Sequence, residues 1–97
     1  MDNLRVTDIE GTTSGHQLVL YGLLQCEPCR EAKEYLASRG IAYCSITVDW
    51  QLPENRVALK KRFESSYGKR PIYPVLEIDG TLHFGFDPEA WDLLIND

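Results

Sequence analysis

The stretch Tyr21–Arg30, YGLLQCEPCR, sets two cysteines three positions apart with Glu27 and Pro28 between them. Upstream, residues 17–21 form an apolar, β-prone run that stops at Gly22 and reads as a short buried strand. Downstream, residues 26–39 are rich in Arg, Glu, Ala, Lys and Leu and read as a helix. Cys29, Ala32, Lys33 and Leu36 recur at helical spacing and are expected on its inner face, with Gly40 as the stop. The pair thus falls where a strand hands over to a helix. By itself it could be a redox couple, half of a metal site or a structural staple.

Working outward, residues 41–49 alternate as a second strand, with Ala42, Cys44, Ile46 and Val48 on one face and Tyr43, Ser45, Thr47 and Asp49 on the other. Pro53 opens a second helix, which runs to about Ser66 with Leu59 and Phe63 as its apolar pair and Gly68 as its end. Residues 75–78 and 81–84 are β-prone runs joined by Asp79-Gly80, a strong hairpin signal. Asp87 then caps a last helix with Pro88 at its first position, and Trp91, Leu94 and Ile95 form the buried stripe. The order β-α-β-α-β-β-α predicts an α/β domain, with a parallel first pair and an antiparallel closing hairpin. Residues 1–16 are polar, broken by Gly11 and Gly15, and read as a mobile extension or a weakly attached strand. Residues 17–97 are expected to form the domain.

The bulk composition narrows the function. The chain has 97 residues, 43% hydrophobic and 26% charged, which suits one globular domain. A net charge of −5 without a basic stripe argues against nucleic acid and against an anionic membrane surface. No apolar run approaches the roughly 20 residues of a membrane span. The N-terminal stretch MDNLRVTDIEGTTSGH lacks the apolar core of a signal peptide, so the expected location is cytoplasmic. Three cysteines do not make a secreted disulfide scaffold, and in a reducing compartment a close pair is usually catalytic or metal-binding.

The residues also set the chemistry. The thiolate is the nucleophile in disulfide exchange, and a helix N-terminus stabilises an anion. Cys26 stands at that N-terminus and Cys29 about one turn in, so Cys26 is expected to attack and Cys29 to resolve. Glu27 beside Cys26 disfavours a second negative charge, which raises the thiol pKa and favours a reducing couple. Against a zinc site, only Cys44, His16 and His83 remain as further soft or nitrogen ligands. Cys44 reads as a buried core thiol, Lys60-Lys61-Arg62 as a solvated helix face, and no metal ligands are assigned. Trp50 falls in a loop, as partner contact or core cover. Lys69 and Arg70 are candidates to meet an anionic substrate.

In combination, LYGLLQCEPCREAKEYLASRGIAY, YPVLEIDG and GFDPEAW, in this element order, resemble the glutaredoxins of the thioredoxin superfamily. GFDPEAW is similar to the Gly-Phe-x-Pro segment of glutaredoxin-like electron donors of ribonucleotide reductase. The resemblance implies a thioredoxin-like, glutaredoxin-type fold: a central four-stranded mixed sheet flanked by three helices. It implies a thiol–disulfide oxidoreductase, with Cys26 and Cys29 catalytic and Glu27 and Pro28 tuning them; nothing in the sequence demands more than a monomer. It places Pro74 as a cis-proline beside the cysteines, with Pro71 as rival, and turns the Tyr73 backbone toward substrate. Tyr21, Gly85 and Asp87 are the remaining implied substrate contacts.

No bound cofactor is implied. The electron donor would be glutathione or a flavoprotein such as thioredoxin reductase. The partner would be a protein disulfide or a glutathione mixed disulfide. The chain departs from the glutathione-binding pattern in two places: Leu23 and Leu24 stand where a Lys is usual, and Phe84 precedes Gly85 in place of a second Gly. Two alternatives follow from other signals. KRPI with GFDPEAW is similar to arsenate reductases, which would make the chain a relative or a redox-sensing regulator, although the family's helical insert is absent. A metal- or iron–sulfur-binding module would instead give a coloured or zinc-loaded protein.

Overall fold

A computed structural model describes residues 3–12 and 15–96. The elements are β1 (Thr7–Ile9), β2 (Leu18–Gly22), α1 (Glu27–Ser38), β3 (Tyr43–Thr47), α2 (Pro53–Tyr67), β4 (Val75–Ile78), β5 (Thr81–Phe84) and α3 (Pro88–Asn96). The strands form one sheet in the order β1-β3-β2-β4-β5. β2 and β3 are parallel and every other neighbouring pair is antiparallel. From Leu18 onward this is the expected β-α-β-α-β-β-α order and the expected mixed sheet.

A fifth strand joins the expected four at one edge of the sheet. The polar lead supplies β1, whose Thr7, Asp8 and Ile9 pair with Ser45, Cys44 and Tyr43. Three residues with one half-buried apolar side chain carry too little alternation to be seen in the sequence. The lead thus takes the strand form of the two readings; residues 1, 2, 13 and 14 of it, and residue 97 of the domain, lie outside the described residues.

Alternation along β2 and β4 builds two cores. Leu18, Leu20, Leu76 and Ile78 face α1 and α3, meeting Ala32, Tyr35, Leu36, Trp91 and Ile95. Tyr21 and Val75 face α2, meeting Leu59 and Phe63. The α1 stripe is Cys29, Ala32, Tyr35 and Leu36; Lys33, expected inward, is exposed because its ammonium stays in water and Tyr35 fills that side. Tyr35 also anchors α3, its ring edge-on to Trp91 and its hydroxyl donating to Asp92.

The second strand is shorter than read. It ends at Thr47, and Val48–Trp50 make a single 3-10 turn before α2. Both faces of β3 are covered in part, so Tyr43 is buried on one and Ile46 on the other. Cys44 is not a core thiol: it is half-buried and donates to the Asp8 carboxylate across 3.2 Å. Its partner on the edge strand is polar, which keeps that end of the sheet wet. The hydrogen bond to Asp8, then burial, pushes the Cys44 thiol up.

The hairpin is as expected. Asp79 and Gly80 both have positive φ, 48° and 89°, the conformation of a two-residue turn that glycine adopts without strain. Asp79 also ties the turn to the start of β2, accepting from the Gln17 amide at 2.8 Å, with His16 Nδ1 2.6 Å from its other oxygen. No helix among the described residues is long and apolar enough to cross a membrane.

Candidate active site

Cys26 is the N-cap of α1. Its backbone is extended, and its sulfur accepts the Cys29 amide hydrogen at 3.2 Å. Glu27 and Pro28 occupy the first two helical positions, where a carboxylate suits the macrodipole and a missing N–H costs nothing. The two cysteines are joined as a disulfide with their Cα atoms 5.2 Å apart. Cys29 is 2% exposed, whereas Cys26 is half-buried. Cys26 is therefore the more accessible residue of the two.

The pair opens on a cavity of about 330 Å³ lined by both cysteines and by Leu23, Glu27, Arg30 and Lys33, among others. Glu27 is paired with Arg30, which also meets Glu34 at 2.5 Å. The carboxylate beside the cysteine is thus partly neutralised, a compensation the sequence reading did not include. Gly22 lies behind the pair: a Cβ there would sit 3.3 Å from both Cβ and Sγ of Cys29. That clearance lets Cys29 pack against the end of β2.

The Tyr73–Pro74 peptide bond is cis, and Pro71 is not the cis position. Pro74 is fully buried and its carbonyl accepts the Gly85 amide at 2.8 Å. Tyr73 lines a second cavity, about 450 Å³, with Leu23, Lys60, Glu64, Arg70 and Pro71. Leu23 borders both cavities, so they adjoin. The Tyr73 hydroxyl is buried and has no hydrogen-bond partner among the described residues. Burial, then the Asp49 and Glu64 carboxylates, pushes that hydroxyl's pKa up, so it stays a donor.

The structure thus groups Cys26, Glu27, Pro28 and Cys29 in one place, and Tyr73, Pro74 and Gly85 in another. It puts Asp87 at the head of α3, where its carboxylate accepts the Ala90 amide at 3.3 Å. Tyr21 points into the core beneath α2, edge-on to Phe63. Its hydroxyl donates to Glu77 at 2.6 Å, and Arg62 reaches both at 3.1 and 3.0 Å. Burial first, then the Glu77 hydrogen bond, raises the Tyr21 pKa to about 12.

Sequence reasoning missed two groups. Arg62 is not a solvated helix charge but half of that half-buried pair with Glu77. Asp49, read as an outward strand residue, accepts the Leu24 amide at 3.0 and 3.2 Å and so touches the loop before Cys26. Its partner is 25 positions away, and no local pattern marks the contact. Among the described residues no group of three or more His, Cys, Asp or Glu side chains comes together to hold a metal ion.

The comparisons with known proteins agree with this arrangement. The family model described as Glutaredoxin matches residues 18–83. An uncharacterized glutaredoxin-like 8.6 kDa protein of a rubredoxin operon in Clostridium pasteurianum is 30% identical over 76 residues, 78% of this chain and 93% of that protein. The glutaredoxin of Methanosarcina mazei Go1 superposes with a TM-score of 0.82 at 17% identity, over 96% of this chain and 89% of that one. The glutaredoxin of Archaeoglobus fulgidus gives 0.74 at 24% identity, over 84% and 88%. The two superpositions establish the fold, and the family match extends from β2 into β5.

Proposed function

The chain belongs to the glutaredoxin family, thioredoxin-fold proteins of thiol–disulfide exchange, and we propose that it reduces disulfides through a Cys26–Cys29 dithiol. The observation that carries this reading is the asymmetry of the pair: Cys26 is reachable at a helix N-terminus and Cys29 is buried behind it. The Cys26 thiolate attacks one sulfur of a substrate disulfide, forming a mixed disulfide and expelling a thiolate that takes up a proton. Cys29 then attacks the Cys26 sulfur, the Cys26–Cys29 disulfide forms, and the second substrate thiol leaves. Two electrons and two protons pass to the substrate in all. A donor dithiol, or two glutathiones, returns them, and no bound cofactor is needed.

The substrate lies along the joined cavities. Tyr73 offers its backbone beside Pro74, and Lys60 and Arg70 offer positive charge. Leu23 and Leu24 supply an apolar approach to Cys26 where a cation would favour glutathione. This favours a protein disulfide as substrate. Gly85 shapes the Pro74 side, and Asp87 and Tyr21 act mainly through the fold.

The test pairs two substrates with two donors. Insulin disulfides and a small glutathione mixed disulfide are each assayed with glutathione and with a flavoprotein thioredoxin reductase. Faster insulin reduction than removal of the mixed disulfide is expected. Failure on both substrates with both donors would reject the activity.

A further inference from the structure

The loop that delivers Cys26 is held at its start by Leu23, packed against the core, but has few contacts after it. Leu24 is 68% exposed and Gln25 is exposed, so neither anchors the loop by burial. Its polar tether is the Leu24 amide, shared between both oxygens of Asp49. Asp49 is itself exposed, in the single 3-10 turn between β3 and α2. The turn is fixed from inside by the fully buried Val48 and from outside by the N-terminal lead.

Gln51, 3% exposed, sits at the end of the turn. Its amide exchanges two hydrogen bonds with the Arg5 backbone, Arg5 N–H to Oε1 and Nε2 to Arg5 O, each 2.8 Å. Nε2 also donates to the Thr47 carbonyl at 3.0 Å. The Arg5 guanidinium donates to the Trp50 carbonyl at 2.5 Å and lies 5.1 Å from the Trp50 ring centre. A buried, fully bonded amide is a rigid joint, because breaking one bond leaves a polar group unsatisfied. A continuous path therefore runs from Arg5 through Gln51 and the turn to Asp49, and from Asp49 to the loop before Cys26.

We propose that Asp49 is a positioning residue for Cys26, and that the N-terminal segment steadies Asp49 through Arg5 and Gln51. The proposal rests on the dithiol reading above. In the disulfide the loop is already tied to α1 through the bond to Cys29. In the dithiol, exposed Leu24 and Gln25 rely on the Asp49 tether between the packed Leu23 and the helix start. Losing the tether therefore releases more freedom in the dithiol and shifts the equilibrium toward reduction.

The test is the Cys26–Cys29 equilibrium in glutathione redox buffers, on full-length Asp49→Ala, Asp49→Asn and Gln51→Leu proteins. Asp49→Ala is expected to favour the dithiol about tenfold, a midpoint about 30 mV less negative. Asp49→Asn keeps an acceptor for the Leu24 amide and is expected to stay within about threefold of the parent. Gln51→Leu removes both bonds to the Arg5 backbone and is expected to move the same way as Asp49→Ala by about two- to threefold. An unchanged midpoint in Asp49→Ala would overturn the proposal. A shift in Asp49→Asn as large as in Asp49→Ala would overturn it too, since charge and not the tether would then be responsible. An unchanged Gln51→Leu would overturn the N-terminal part. If the parent protein forms no reversible disulfide, the dithiol reading itself fails, which is a separate result.

Discussion

Cys29 donates its amide hydrogen to the Cys26 sulfur across 3.2 Å, so the backbone of the buried cysteine helps to hold charge on the reachable one. The roles of the two sulfurs follow from that relationship. Cys26→Ser is expected to abolish exchange, because the remaining thiol is buried. Cys29→Ser is expected to stop after the first step and accumulate a mixed disulfide at Cys26. Mass spectrometry of each variant after incubation with oxidised glutathione reads this directly. An adduct on Cys26→Ser at position 29, with none on Cys29→Ser, would reverse the assignment.

Glu27 and Arg30 act on Cys26 with opposite signs. A carboxylate disfavours the neighbouring thiolate and a guanidinium favours it, and the two are paired at the helix start. Glu27→Gln is therefore expected to lower the Cys26 pKa and Arg30→Ala to raise it. Each change should be a few tenths of a pH unit, from the roughly 0.2–1 kcal/mol of an exposed charge pair. The rate of thiol alkylation against pH measures both. Movement of the two variants in the same direction would contradict the electrostatic reading.

Gly22 is where packing meets chemistry. An added methyl would press on Cys29 at 3.3 Å, closer than an ordinary van der Waals contact. Gly22→Ala is expected to cost about 1–3 kcal/mol of stability by chemical denaturation. It should also make the Cys26–Cys29 disulfide easier to reduce, since the resolving sulfur is the atom displaced. A variant as stable as the parent would show that the site relaxes freely.

The half-buried Glu77 makes stability depend on pH. Burial pushes its carboxyl up, but the hydrogen bonds from Arg62 and Tyr21 outweigh that and hold it below its ordinary value of 4.5. The unfolded chain therefore takes up this proton first. The stability contributed by Glu77 is complete above about pH 4.5 and is lost as pH falls through the folded value. Glu77→Gln is expected to lower stability by about 1 kcal/mol at pH 7, a figure kept small by the partial exposure of Arg62. The gap from the parent should close toward pH 3. Thermal denaturation across that range would contradict this if the gap stayed constant.

Much of this architecture is written in short-range chemistry. Pro53 and Pro88 mark helix starts, Asp79-Gly80 marks the hairpin, and Cys26 at a strand-to-helix junction marks the site, each within a few neighbouring residues. What the sequence hides is long-range. β1 exists because Thr7–Ile9 finds β3, and its own three residues carry no pattern. Tyr35 displaces Lys33 from the inner face only because α3 brings Trp91 and Asp92 to it. Asp49 and Arg62 look like ordinary surface charges until Leu24 and Glu77 are placed beside them. Cys44 reads as core by alternation, yet the edge strand opposite it presents Asp8.

The most direct test is to equilibrate the protein in glutathione redox buffers and quantify the Cys26–Cys29 disulfide by alkylation and mass. A reversible two-electron couple is expected, with a midpoint between about −200 and −270 mV. The upper part of that range matches glutaredoxins and glutathione as donor; the lower end matches thioredoxin and a flavoprotein reductase. A pair that forms no reversible disulfide under any buffer ratio would contradict the assignment of this site to thiol–disulfide exchange.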